Sequence, residues 1–228
     1  DGLQWHISKG KTVLEEAFYF VTEETSPHLV EEKLDDVLKF DDYKEIEVIS
    51  ALNHFSLTPD TFAEHELGYK LISYNAPVDE ANEELMLSVN KKFAVQFYYT
   101  FPKHFYQKIK AKKLPTKFNF SGEKFLNALT VKNHKEIHIN LYHHQVEFFA
   151  FENKKVVLYN NLDADSEVDF LYFIMFSLSK INFGTAETYF HIYGETHENE
   201  TFISELRKFV KNIKVHFDNA PKKNFVLS

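Results

Sequence analysis

Four histidines, His134, His138, His143 and His144, fall within eleven residues, close enough to raise metal chemistry. A zinc site needs side chains that converge on one point. No His-Glu-x-x-His pattern occurs. His138 lies on an alternating stretch, so its face differs from that of at least one of the pair His143-His144. No metal site is expected. Thiolate chemistry and disulfides are excluded outright, because the chain has no cysteine. The acids Asp163, Asp165 and Glu167 stand before a long apolar segment, where helix capping and the helix dipole account for them. A Gly-x-Ser-x-Gly elbow, a Walker loop and the Rossmann glycine pattern are all absent, and only six glycines are present in 228 residues.

One local run departs from the net charge of −8: Lys103, Lys108, Lys110, Lys112, Lys113 and Lys117, interleaved with Phe101, Phe105, Tyr106 and Phe118. Aromatic and basic residues alternate in this way in single-strand nucleic-acid binders. On a helix, Phe105 and Ile109 would instead face the core and leave the lysines solvated. Overall acidity argues against general nucleic-acid binding, and this patch is its one candidate.

The elements that must position these groups are legible in the alternation. Glu136 to Leu162 reads as three strands, about 136–142, 145–151 and 154–162, joined by turns at His143-His144 and Glu152-Asn153. Ser166 to Asp169 then forms a capping box that opens a helix over Val168–Leu178, apolar almost all round and therefore expected in the interior. Thr188–Tyr193 is a strand, Phe202 to Val210 an amphipathic helix, and Lys214–Phe217 a closing strand. The chain begins similarly. Leu3–Ile7 and Thr12–Val21 form a hairpin about Ser8-Lys9-Gly10, and Ser26-Pro27 opens a helix with Val30, Leu34, Val37 and Leu38 as its stripe.

Between the two units, Ile46–Ile49 and Phe55–Leu57 read as strands. A helix holding Phe62, Leu67 and Leu71 follows, and then a hairpin over Leu85–Val89 and Phe93–Tyr99. Pro102 starts a helix to about Lys113, Lys117–Phe120 is a strand, and Ser121 opens a short helix over Ser121–Thr130. Aligning the hairpins sets Trp5 on Phe148, Lys11 on Lys154 and Val13 on Val156, an offset of 143 throughout. The chain thus reads as a duplicated α/β protein. Residues 1–133 form the first lobe, with its opening strand missing and an insertion at about 53–91, and residues 134–228 form the second. With 44% hydrophobic residues, it can fill a sizeable core. No apolar run approaches a membrane span of about 20 residues, and a cytoplasmic location is expected.

Two three-stranded meanders, each followed by helices and further strands, resemble the actin-like (sugar kinase/Hsp70/actin) superfamily, a ribonuclease H-like fold. More closely, the chain resembles the DUF3822 proteins of Bacteroidetes. The residues that carry this are Asp1-Gly2-Leu3, Ile49–Pro59, Tyr74–Asp79, Lys154–Tyr172 and Tyr193-Gly194-Glu195. The resemblance implies an actin-like fold of two lobes, each with a mixed sheet flanked by helices, and no assigned activity.

The resemblance also implies where a nucleotide would sit. Actin-like ATPases hold phosphates in one hairpin turn per half, usually Asp-x-Gly, and the adenosine against a Gly-Gly after a strand. Here those positions are Asp1 and Gly2, then His143 and His144, then Gly194 before the acid Glu195. The second turn has neither Asp nor Gly, so the expectation is a degenerate nucleotide site. The chain would then be a non-catalytic binding or scaffold protein that docks a protein partner and has no cofactor. Two alternatives remain: an ATPase or phosphotransferase using ATP and Mg²⁺ at these five residues, or a nucleic-acid or acidic-partner binder using the lysine run.

Overall fold

The computed structural model describes residues 2–21, 28–40, 42–142, 145–196 and 200–216. Its first hairpin pairs β1 (Gly2–Lys9) with β2 (Thr12–Phe20), and Gly10 takes the positive φ of +62° that its turn demands. Next come α1 (His28–Leu38), β3 (Ile46–Ser50) and β4 (Phe55–Pro59). A short 3₁₀ turn (His65–Leu67) leads into α2 (Gly68–Ser73). The chain continues with β5 (Glu83–Asn90), β6 (Val95–Pro102), α3 (Lys103–Lys110), β7 (Thr116–Phe120) and α4 (Ser121–Ala128). The second half is β8 (Lys135–Tyr142), β9 (Gln145–Glu152), β10 (Lys155–Asp163), α5 (Glu167–Lys180), β11 (Tyr189–Gly194), α6 (Glu200–Arg207) and β12 (Asn212–Val215).

A five-stranded sheet in the order β10-β9-β8-β11-β12 organises this second half. The meander β8-β9-β10 is antiparallel, and β11 and β12 add in parallel after helical crossovers. Alternate residues point to opposite faces of a strand, and here both faces are covered. Ile137, Ile139, Leu141, Val146, Phe148, Phe190 and Ile192 pack one face against Phe170, Ile174 and Leu178 of α5 and Phe202 and Leu206 of α6. Phe149, Phe151 and Tyr159 carry the other face into a second core with Phe55, Phe97, Tyr99, Phe120, Phe125 and Leu126 from the first half. Ring centroids there lie 4.4 Å apart for Phe149–Tyr159 and 5.2 Å for Phe97–Tyr159 and Phe97–Phe120. Such pairs add about 0.5–1.5 kcal/mol each beyond the area they bury.

Among the described residues the first half divides its strands into three sheets: β1-β2, parallel β3-β7, and β4-β6-β5. The pairs β1-β2 and β3-β7 repeat β9-β10 and β11-β12 in direction, without a counterpart of β8 bonded between them. The β4-β6-β5 sheet supplies the aromatic layer of the shared core.

Several local expectations are corrected. Phe62 precedes the helical turn rather than sitting in it. The helix opened by Ser121 begins there as expected and ends at Ala128 instead of Thr130, with Phe120 in extended backbone before it and no side-chain cap bond. Phe209 and Val210 follow α6, and the closing strand starts earlier, running Asn212–Val215, while Phe217 lies outside the described residues. The largest departure is α5. Only Phe170, Ile174 and Leu178 are buried, while Val168, Tyr172 and Phe176 are exposed, so this apolar helix is a covering layer. Its cap is as expected, with Ser166 Oγ accepting the Asp169 amide at 3.2 Å. The Ser26-Pro27 helix start lies outside the described residues. No helix among the described residues is long and apolar enough to cross a membrane.

Because Phe149 is fully buried where the two halves meet, Phe149→Ala is expected to cost about 3–5 kcal/mol. Urea titration followed by far-ultraviolet circular dichroism checks this. One shifted transition is expected, not the loss of one half alone.

Candidate functional site

Of the five sequence-predicted positions Gly2 and Gly194 are described, and Gly194 lies at the C-terminal end of β11. Gly194 pairs with Leu141 at the end of the parallel register, one residue short of Tyr142 and the hairpin turn. Tyr142 Oη donates to Gln4 Oε1 at 3.2 Å and ties the start of β1, where Gly2 lies, to the same corner. Asp1, His143 and His144 lie outside the described residues.

Gly194 has a clear local reason to be glycine. Its φ is +82°, and a Cβ there would stand 2.2 Å from the Leu141 carbonyl oxygen and 2.5 Å from Asn140 Oδ1. Those contacts leave no room for a side chain. The amides that follow are already engaged: Glu195 N donates to Leu141 O and Thr196 N to Gly194 O, both at 2.8 Å. A phosphate cradle works through unengaged backbone amides directed at the ligand, and these two point into the fold.

Beneath this corner lies a buried polar network absent from the sequence reading. Tyr159 Oη donates to Glu147 Oε1 at 2.7 Å, Ser121 Oγ to the same oxygen at 3.4 Å, and Asn140 Nδ2 to Glu147 Oε2 at 3.3 Å. Burial pushes the Glu147 carboxyl above the ordinary carboxylate range against these donors, and burial with the neighbouring Glu147 raises the Tyr159 phenol. Gly122 lets α4 come this close, since a Cβ there would meet Tyr159 Oη at 2.5 Å. A second network joins Asn90 to Glu123 (3.2 Å) and Asn127 (2.8 Å), and burial likewise raises the Glu123 pKa. Both networks link strands of one half to α4, so their chemistry is structural anchoring.

The opposite end of the same strands carries Glu136, His138 and His191 on one face, because the parallel register sets His138 beside His191. The sequence signal was the period-two pair Glu136-x-His138 matched by His191-x-Tyr193, which becomes readable only once β8 and β11 are known to be neighbours.

Several lysines of the run are engaged internally. Lys108 bridges Glu31 and Asp35 of α1 at 2.8 and 2.9 Å, Lys103 donates to the Glu80 and Ala81 carbonyls, and Lys110 lies over the Tyr106 and Phe118 rings. The apolar side of α3 buries Ile109 as expected.

Comparison with known proteins fits this architecture. Residues 7–213 match the family described as "Protein of unknown function (DUF3822)". The chain belongs to the DUF3822 family. Its fold is similar to that of a Bacteroides thetaiotaomicron protein described as having an actin-like ATPase fold and unknown function. That match has a TM-score of 0.80 and 19% identity, and covers 95% of this chain and 87% of the other. It is also similar to the PilM–PilN type IV pilus biogenesis complex (TM-score 0.54, 11% identity, 94% and 84% covered). A third similar structure is the cytoplasmic domain of EpsL, an inner-membrane component of the Vibrio cholerae type II secretion system (TM-score 0.50, 7% identity, 95% and 80% covered). No curated protein matches the sequence. The DUF3822 chain therefore has an actin-like fold, as the sequence resemblance implied.

Gly194→Ala is expected to destabilise by about 2–4 kcal/mol, through strain and the clash with Leu141. That lowers Tm by roughly 5–15 °C. Glu147 supplies a pH test. Its folded pKa is raised, so its contribution to stability is present below the ordinary value of 4.5 and is lost as pH rises through the folded value. Glu147→Gln stays neutral, so its Tm should gain on that of the parent as pH increases. Melts across a pH series check the sign.

Proposed function

We propose that this DUF3822 chain is a non-catalytic, actin-like docking protein with a degenerate nucleotide site. The observation that carries the docking half is the outward face of α5. Val168, Tyr172 and Phe176 recur at helical spacing, 75%, 60% and 47% exposed, and the Tyr172 and Phe176 rings stack at 5.7 Å. Beside them runs a groove of about 350 Å³ between α5 and α6, lined by Glu167, Val168, Leu171, Thr201, Ser204 and Glu205. A contiguous apolar stripe with a polar rim suits a protein interface, and aromatic side chains are its usual anchors. That one similar structure is of a complex, PilM–PilN, is consistent with this use of the fold.

The degenerate-site half is supported by the engaged amides of Glu195 and Thr196. The replacement of Asp and Gly by two histidines in the second turn adds to it.

Two measurements test the reading. With millimolar Mg-ATP, Tm should not move. A ligand at 100 times its Kd would add about 2.7 kcal/mol and raise Tm by roughly 5–10 °C, and such a shift would overturn the degenerate site in favour of an ATPase. A photo-reactive group placed at Tyr172 in living cells should give a discrete protein adduct that Phe176→Glu abolishes. No adduct from position 172 would count against docking through α5.

A further inference from the structure

We propose that Glu136, His138 and His191 form a binding site for one divalent transition-metal ion of the zinc type, at the end of β8 and β11 opposite Gly194, with His134 beside them on Glu136. Three imidazole Nε2 atoms face a single carboxylate. His134 Nε2 lies 2.8 Å from Glu136 Oε1, His138 Nε2 lies 3.2 Å from Oε2, and His191 Nε2 lies 3.7 Å from Oε1. The ligand atoms of Glu136, His138 and His191 all lie within 4.8 Å of one another. Ligands about 2.0–2.1 Å from a tetrahedral zinc stand about 3.4 Å apart, and the separations here bracket that spacing. Those separations are all to the carboxylate, and the His138 and His191 rings, 11° from parallel, must turn for their lone pairs to converge on one ion.

The surroundings are those of a ligand set with its outer hydrogen bonds made. A ligating histidine normally has its other ring nitrogen hydrogen-bonded, which fixes its tautomer and angle. His138 Nδ1 lies 3.0 Å from Tyr193 Oη, and His191 Nδ1 lies 3.1 Å from His216 Nε2. The rings are also stacked, His138 on His191 at 4.6 Å and Tyr193 on His216 at 4.3 Å. The Lys132 amide donates to Glu136 Oε2 at 3.0 Å and holds the carboxylate in place.

Charge and access agree with this. Glu136 and His138 are 1% and 0% exposed, and no lysine or arginine is paired with Glu136 among the described residues. A carboxylate taken out of water needs a compensating partner, and a divalent ion is a stronger one than neutral imidazole. His134 and His191, 33% and 17% exposed, form the side open to solvent. Imidazole nitrogens with one carboxylate suit zinc, and calcium and magnesium prefer oxygen donors. The ion would join β8 to β11 and to the loop before β8.

The test uses the full chain with any affinity tag removed, stripped by chelator and dialysed. Titration with Co²⁺ should give the visible absorption of a tetrahedral site, saturating at one ion per chain and displaced by Zn²⁺. His191→Ala and His134→Gln, both at solvent-reaching positions, should each weaken binding at least about tenfold. A circular dichroism spectrum of each metal-free variant shows that the fold persists. If the parent shows no tetrahedral Co²⁺ spectrum and no Zn²⁺-dependent rise in Tm, the site is a metal-free hydrogen-bond network and the proposal fails. It fails equally if one ion binds with unchanged affinity in both variants, since the ligands then lie elsewhere.

Discussion

The fold depends on burying both faces of the sheet β10-β9-β8-β11-β12. A strand has only two faces, so each residue type must serve the layer it meets. The outer layer is aliphatic and aromatic throughout, against α5 and α6. The inner layer must meet a second sheet and a helix from the other half, and it does so with large rings where the layers are thick. Across the sheet, from β9 to β8 and β11, those rings give way to Glu136, His138, His191 and Tyr193. That gradation from Phe149 and Phe151 to ionisable groups is what makes the inner face chemically distinctive.

Buried polar groups are tolerated there because they satisfy one another. Glu147 has Tyr159, Ser121 and Asn140, and Glu123 has Asn90 and Asn127. Truncating one member leaves the others without partners, which costs more than the bond itself contributes. The networks therefore hold α4 in one position against the sheet. The corner at Gly194 is fixed by the same logic, since its close approach to Leu141 is sealed by the Glu195 amide. A site built to release and rebind a nucleotide would keep such amides available.

Much of the fold was legible because hairpins are local. Gly10 and period-two alternation located β1 and β2, and the meander β8-β9-β10 fell within a residue or two of expectation. The internal repeat and the motif residues pointed to the right fold family. What could not be read depends on contacts distant in sequence. The apolarity of α5 says that it buries a face, not that it buries both, and Val168, Tyr172 and Phe176 remain outside. Ser121 opens α4 as read, but nothing local says that its hydroxyl turns toward Glu147, on a strand 26 positions away. His191 stands 53 residues from His138 and meets it only through the parallel crossover. Of the four histidines close in sequence, His134 and His138 join this cluster, and His143 and His144 lie outside the described residues.

The most direct measurement of the central claim is amide hydrogen exchange at Glu195 and Thr196, with and without Mg-ATP. If the corner is closed by its own backbone, both amides exchange slowly, and nucleotide leaves their rates unchanged. Fast exchange that ATP suppresses would show amides available to a phosphate and would contradict the account of this fold as a docking platform without a working nucleotide site.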